Sequence, residues 1–297
     1  MVIATGFFDG VHLGHRFVIE ALVREARKRG EQSMVVSFWP HPRMVLQKDA
    51  ASLRLLSSRV EKRRALLELG VDRFEVLDFT REFSHLSTEE YLRDYIVGKF
   101  GGTSIVLGYD NRMGFNSGSQ EDIRTIAEGL GVDVIVLGRM PGESISSTKI
   151  RKCLSCGKVE DAAAMLGTYY GLHGVVVSGH GMGRKLGFPT ANMLLYEPLK
   201  LIPRTGVYLV GVETIGKRRY GMCNIGYRPT VSERESLTIE TNIFDFDEDI
   251  YGLDLSLSFI KRIRTEKKFP SMQELSAQLA ADKELCLSIS ADFKEFK

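Results

Sequence analysis

Two imidazoles three residues apart, His12 and His15, stand in the segment Gly6-Phe7-Phe8-Asp9-Gly10-Val11-His12-Leu13-Gly14-His15. The apolar run Val2-Ile3-Ala4-Thr5 precedes it and a helix-patterned segment follows it. The motif therefore reads as a strand, a tight glycine turn and the start of a helix. A helix N-terminus presents unpaired N–H groups and a partial positive charge, which attract phosphate. Gly10 and Gly14 let backbone come close to a ligand that both imidazoles can reach. Such a site suits stabilisation of charge on a phosphoryl group. Adenylyl transfer onto a phosphate needs no general base, because the attacking group is already anionic; catalysis is then positioning and charge stabilisation. Ser147, Thr148 and Arg151 offer a second phosphate site, with hydroxyls at a helix start and a guanidinium one turn on. Standing alone, those three residues would read as a simple N-cap.

A second cluster lies in the C-terminal half. Gly179-His180-Gly181-Met182-Gly183-Arg184-Lys185 is followed by Leu186-Gly187-Phe188-Pro189-Thr190-Ala191-Asn192. It is neither a Walker loop nor a dinucleotide fingerprint, because no G-K-[ST] closes it and its glycine spacing and context differ. Physically it is a glycine loop with two cations, Arg184 and Lys185, and then a proline turn presenting a hydroxyl and an amide. The loop backbone at Gly179 and Gly183 and the two cations suit ATP phosphates. Thr190 and Asn192 are neutral oxygen ligands of the kind Mg²⁺ accepts when phosphates and water fill its remaining positions. Phosphoryl transfer to an alcohol also needs a proton acceptor. Glu240, inside Ile239-Glu240-Thr241-Asn242-Ile243, is the candidate; its plainer reading is an outward-facing strand residue.

The elements that must position these residues fall into two groups along the 297-residue chain. Residues 1 to about 138 alternate strand-like and helix-like segments. Strands are expected over 33–38, 74–79, 103–107 and 132–137, and helices over 16–29 and 119–130. Ser58-x-x-Glu61 and Ser87-x-x-Glu90 are capping-box signatures for two more helices. This alternation predicts a doubly wound α/β parallel sheet, whose ligands bind at the carboxyl ends of the strands. Short helices follow near 147–151 and 159–166. Segments 172–178, 206–213, 220–224, 237–244 and 253–263 then predict a small antiparallel β barrel. Ser271-x-x-Glu274 caps a last helix to about residue 285. The expected boundary is near 167–168, giving domains 1–167 and 168–297.

Composition narrows the class. The net charge is only +2, so no strong field favours nucleic acid or an anionic membrane. The basic run Lys261-Arg262-Ile263-Arg264 with Lys267-Lys268 is interrupted by Glu266 and reads as a solvated strand end. No apolar run reaches the ~18 residues of a membrane span, and no leader pattern opens the sequence, so a cytoplasmic enzyme is expected. Cys153-x-x-Cys156 has no second pair and no clustered histidine to complete a metal site.

These motifs resemble a known family. The segment 6–15, Phe38-Trp39-Pro40-His41-Pro42 and Ile145-Ser146-Ser147-Thr148-Lys149-Ile150-Arg151 are similar to the bacterial bifunctional riboflavin kinase/FMN adenylyltransferases (FAD synthetases). The resemblance implies a first domain of the nucleotidyltransferase type, with His12 and His15 handling ATP phosphates alongside Gly6, Phe8, Asp9, Gly10 and Gly14. Ser147, Thr148 and Arg151 match its second phosphate motif. Asp110 and Arg112 match its loop Gly108–Gly114 near the nucleotide. The segments 183–192, Asn224–Thr230 and 239–247 with Leu253-Asp254 resemble the riboflavin kinase barrel. By that resemblance Glu240 is the base for the ribityl 5′-hydroxyl, Thr190 and Asn192 hold Mg²⁺ with ATP, and Asn224, Arg228 and Thr230 contact flavin. Riboflavin, FMN and ATP are the implied partners.

This sequence departs from the family at four places. Phe7 replaces a usual Asn. Tyr109, Asn111 and Met113 replace the usual Glu and aromatics, and Asn242 replaces a frequent His. The sequence also starts closer to its first strand than most relatives. Two rival expectations follow: a kinase with an impaired adenylyltransferase domain, or a flavin- and nucleotide-binding regulator without turnover.

Overall fold

The structure, a computed structural model, describes residues 1–47, 53–109, 114, 119–142, 144–179, 182–228 and 236–293. Contacts divide the chain into two compact units, Met1–Ser147 and Thr148–Lys297.

In the first unit, β1 (Val2–Thr5), α1 (Leu13–Arg29), β2 (Ser33–Trp39), α2 (Pro42–Leu46), α3 (Arg59–Glu68) and β3 (Arg73–Asp78) come first. α4 (Arg81–Ser84) and α5 (Thr88–Glu90) follow, the latter running into a π-helical segment Tyr91–Lys99. β4 (Ser104–Leu107), α6 (Gln120–Gly129) and β5 (Asp133–Val136) complete the unit. The five strands are all parallel, in the order β3-β2-β1-β4-β5. The period of two along β1 supplies both faces. Ile3 packs with Leu92, Ile96 and Ile123 on one side, while Val2 and Ala4 pack with Ile19, Leu22 and Leu66 on the other. Each fully buried aliphatic side chain contributes about 2 kcal/mol. Both expected capping boxes form, and Ser119 with Asp122 makes a third. α1 begins at Leu13 rather than Arg16, so His15 lies in its first turn.

The chain steps outward from β1 through β2 to β3, then crosses to β4 on the other side of β1. The sheet therefore reverses its strand order between β1 and β4, which is where such sheets open a crevice for ligand.

The second unit opens with α7 (Ser147–Ser155), which starts at the division, and α8 (Val159–Leu166). β6 (Tyr170–Val177), α9 (Met182–Lys185), β7 (Ala191–Leu195), β8 (Gly206–Thr214), β9 (Lys217–Arg228), β10 (Ser236–Ile243), β11 (Asp254–Arg264) and α10 (Met272–Ser290) follow. The strands close a barrel in the order β10-β7-β6-β11-β8-β9, with β9 pairing back to β10. α8 packs on β6 and β11, so by contacts the segment 148–167 groups with the barrel.

Three features differ from expectation. β7 is a strand where the sequence showed only a proline turn, because its five residues are too few to display alternation and Leu194 points outward at 60% exposure. β9 extends beyond 220–224 because it pairs along β8 on one side and β10 on the other. α10 runs to Ser290, since Cys286 and Ile289 still pack on the barrel core with Val207 and Met222.

Candidate active sites

In the first unit the glycine turn leaves β1 and enters α1 with its backbone under strain. Phe8 (φ 51°) and Val11 (φ 40°) join Gly10 (φ 79°) at positive φ. For a β-branched residue such as Val11 this conformation is an outlier, of the kind that persists where the surroundings enforce it. Asp9 supplies part of that enforcement. Its buried carboxylate accepts the N–H groups of Leu56 and Ser57 and the Ser57 hydroxyl, and Gly10 N–H donates to Ser57 Oγ at 3.0 Å. Ser147 Oγ donates to the Asp9 carbonyl at 3.0 Å.

His12 is the N-cap of α1, its Nδ1 accepting the His15 N–H at 3.2 Å. This leaves Nε2 as its donor side. The His12 and His15 rings stack with centroids 3.6 Å apart and planes 14° from parallel, and the Phe8 ring meets His15 edge-on. Burial first, then His12 and Lys62, hold the His15 imidazolium well below its ordinary range. His15 is therefore neutral at pH 7, and its Nδ1 is buried with no hydrogen-bond partner among the described residues. A Cβ on Gly14 would come within 3.3 Å of the His12 ring.

A cavity of about 290 Å³ opens beside this pair. Its walls come from the carboxyl ends of three strands: His12 and His15 beyond β1, Gly108 and Tyr109 beyond β4, and Leu137 to Met140 beyond β5. Ser146 and Ser147 complete it. Gly6 and Phe8 lie in the turn itself, with Gly6 against the Phe8 ring. Thr148 and Arg151 continue along α7 past the division between the units. Asp110 and Arg112 lie outside the described residues. Sequence reading missed Arg139, which lines the cavity 5.9 Å from the centre of the Tyr109 ring. It also missed Lys62, a buried amine beneath the turn. Neither belongs to a motif, and only tertiary placement brings them in.

In the second unit the site is a row across the barrel. Glu240 on β10 is the register partner of Asn192 on β7 and of Asn224 on β9. Directly paired residues share a face, so the three side chains stand side by side. Thr190 Oγ1 donates to Glu240 Oε2 at 3.5 Å, and Thr238 Oγ1 to Oε1 at 3.3 Å. Asn242 is buried, and its Nδ2 donates to the Pro189 carbonyl at 2.7 Å, tying β10 to the turn before Thr190. The glycine loop is closely packed. A Cβ on Gly179 would fall 2.2 Å from Asn192 Nδ2, and one on Gly183 would fall 2.3 Å from the Phe188 carbonyl oxygen.

Two cavities meet at Thr190. The larger, about 660 Å³, is lined by Phe188, Met222, Asn224, Glu240 and Phe269. Its size and aromatic walls suit a flat, largely apolar ligand. The smaller, about 330 Å³, is lined by Arg184, Thr241, Asp247 and Tyr251. Thr190 lines both. The side chains of Lys185 and Arg228 and the whole of Thr230 lie outside the described residues. Sequence reading missed Phe269 and Arg264, which line the larger cavity from a segment that reads as a charged strand end. Arg264 is aimed by Asp282 on α10, whose Oδ2 accepts from both Nε and Nη2 at 2.8 Å.

Comparison with known proteins matches both units. Residues 1–149 match the family model described as FAD synthetase, and residues 166–290 match that described as riboflavin kinase. The bifunctional riboflavin kinase/FMN adenylyltransferase of Bacillus subtilis is 37% identical over 287 residues, covering 95% of this chain and 90% of that protein. The protein of the same description from Escherichia coli K12 is 36% identical over 288 residues, with the same coverage. A solved structure described as a macrolide-efflux protein from Streptococcus pneumoniae superposes with a TM-score of 0.88 at 33% identity, over 96% of this chain and 93% of that one. Among the described residues no helix is long and apolar enough to cross a membrane.

Proposed function

We propose a division of labour between the two sites from one premise: the chain belongs to the family of bifunctional riboflavin kinase/FMN adenylyltransferases. It phosphorylates riboflavin to FMN with ATP, and it adenylylates FMN to FAD with release of pyrophosphate. The kinase step belongs to residues 168–297 and the adenylyl step to residues 1–167.

In the barrel, riboflavin occupies the larger cavity and the ATP phosphates approach from the smaller one. The observation that carries this reading is Thr190, which lines both cavities beside the Glu240 carboxylate. Glu240 accepts the proton of the ribityl 5′-hydroxyl as its oxygen attacks the γ-phosphorus, and ADP leaves. Asn224 flanks Glu240 on the flavin side, with Arg228 and Thr230 as further flavin contacts. Gly179 and Gly183 allow the loop backbone to lie close to phosphate, and Arg184 and Lys185 offset its charge. Thr190 and Asn192 fit Mg²⁺: two neutral oxygen donors beside one carboxylate leave coordination positions for phosphate and water. Bound there, the ion would neutralise charge shared between the β- and γ-phosphates.

In the parallel-sheet unit, an FMN phosphate oxygen attacks the α-phosphorus of ATP, the bond to the β-phosphate oxygen breaks, and pyrophosphate leaves. No side chain has to remove a proton. His12 Nε2 and the His15 ring, which both line the cavity, are donors for the α-phosphoryl oxygens, next to the open N–H groups of α1. Gly6, Phe8, Asp9, Gly10 and Gly14 set the turn; Ser147, Thr148, Arg151, Asp110 and Arg112 are further phosphate or nucleotide contacts. Access to ATP and riboflavin supports a cytoplasmic location. The test is separation of flavins by chromatography after incubation with riboflavin or FMN and Mg-ATP. Single-site variants that each stop both steps in folded protein would overturn the separate-site reading.

A further inference from the structure

We propose that Lys62 is a positioning residue for adenylyl transfer, holding the turn that carries His12 and His15 through the Phe7 carbonyl; this rests on assigning that transfer to the first site. The capping box of Ser58 and Glu61 fixes the start of α3 and so places Lys62 one turn in. The residue is 3% exposed. Nζ donates to the Phe7 carbonyl at 2.5 Å and reaches Ser37 Oγ at 3.4 Å. It also stands 3.7 Å from the centre of the Phe7 ring, whose neighbour is the His41 ring at 4.1 Å. The aromatic residue in place of the family's usual Asn thus gives the ammonium a cation–π partner.

The turn needs such a hold. Phe8 and Val11 keep left-handed backbone conformations that cost about 1–3 kcal/mol each unless the surroundings impose them. Ser37 Oγ, Arg16 Nε and Ser147 Oγ donate to the Phe7, Val11 and Asp9 carbonyls, and the remaining side-chain restraints come from one short segment. Leu56 and Ser57 grip Asp9, Ser57 grips Gly10, and Lys62 grips Phe7. Two contacts on the turn carry a positive charge, Arg16 Nε on the Val11 carbonyl at 3.2 Å and Lys62 on the Phe7 carbonyl, and of the two cations only Lys62 is buried. Burying an ammonium is costly, and an apolar side chain would fill the space without that cost.

The titratable groups facing Lys62 are Asp9 from the turn and His15 from α1, with His41 beyond the Phe7 ring. Burial lowers the Lys62 amine to about 8, with Asp9 opposing the fall. As pH rises through about 8, the charge is lost and the charge-assisted bond to Phe7 falls to roughly half its strength. Arginine at this position keeps its charge throughout.

The experiment measures kcat and KM for FAD formation from FMN and ATP between pH 6.5 and 9.5, in wild type, Lys62→Met and Lys62→Arg. Circular dichroism and thermal melting of the same preparations report on folding of the first unit, and FMN formation reports on the barrel. The wild-type kcat for FAD formation is expected to fall about threefold as pH rises through about 8. Lys62→Met is expected to lower kcat about tenfold at pH 7.5, the loss of one charge-assisted bond, with little change in KM. Lys62→Arg is expected to restore part of kcat and to move the alkaline limb beyond pH 9. If Lys62→Met cannot be obtained folded, the shape of the Lys62→Arg profile decides. A shared alkaline limb in wild type and Lys62→Arg, or an unchanged kcat in Lys62→Met, overturns the proposal. Persistence of FAD formation in His12→Ala would instead overturn the site assignment beneath it.

Discussion

Glu240 stands directly opposite Asn192 across the β10–β7 pair, which sets the carboxylate beside one of the two candidate magnesium ligands. The Thr190 hydroxyl, 3.5 Å from Glu240 Oε2, completes the group. Glu240→Gln keeps the shape and removes the proposed proton acceptor. It is expected to lower FMN formation by a factor of about 10²–10⁴ while FAD formation from supplied FMN continues. Flavin chromatography with each substrate in turn checks this.

The histidine pair predicts the reverse pattern. Removing one donor to a developing phosphoryl charge costs about 10²–10³ in kcat. His12→Ala and His15→Ala should each lose FAD formation to that extent and keep FMN formation. His12→Ala also removes the N-cap acceptor of α1, at a further cost of about 1 kcal/mol in stability.

Acid should weaken the first unit through His15. Its folded-state pKa lies below the unfolded value, so below pH about 6.5 the unfolded chain takes up a proton that the folded chain refuses. Stability from this group is intact above that pH. It declines by at most about 1.4 kcal/mol per pH unit as pH falls, until the native imidazole also protonates. Thermal melting between pH 5 and 7.5 should show this slope, and His15→Asn should flatten it. Equal slopes in the two proteins would exclude His15 as the source.

Asn242 ties β10 to the turn before Thr190. Its amide holds the Pro189 carbonyl, and Pro189 precedes Thr190. Asn242→Ala should raise KM for Mg-ATP through Thr190 and KM for riboflavin through the wall of the larger cavity, which Asn242 also lines. Asn242→His, which restores the residue frequent in relatives, should recover activity better than Asn242→Leu. Unchanged KM values for both substrates would exclude this role.

Asp282 is 3% exposed and receives both Arg264 and Gln278. Asp282→Ala leaves the Arg264 guanidinium without its partner, and breaking such a pair costs about 3 kcal/mol. Denaturant unfolding should show that loss, and riboflavin should bind more weakly as Arg264 leaves the larger cavity.

Sequence alone determined the local chemistry and the element classes. Strand–turn–helix pattern, glycine spacing and capping boxes are short-range properties, so 6–15, Ser58–Glu61 and Ser87–Glu90 were legible without a fold. The same holds for the change from α/β alternation to β-rich character. Tertiary structure decided what depends on residues distant along the chain. It made β7 a strand, because closing the barrel required a partner for β6 and β10. It set Asn192, Glu240 and Asn224 in one row, a matter of register that no local pattern encodes. It also placed Lys62 beneath Phe7 across 55 positions, where a helical lysine would ordinarily face water. The His12–His15 pair could be recognised from its spacing, but the neutrality of His15 could not, because burial belongs to the packed chain.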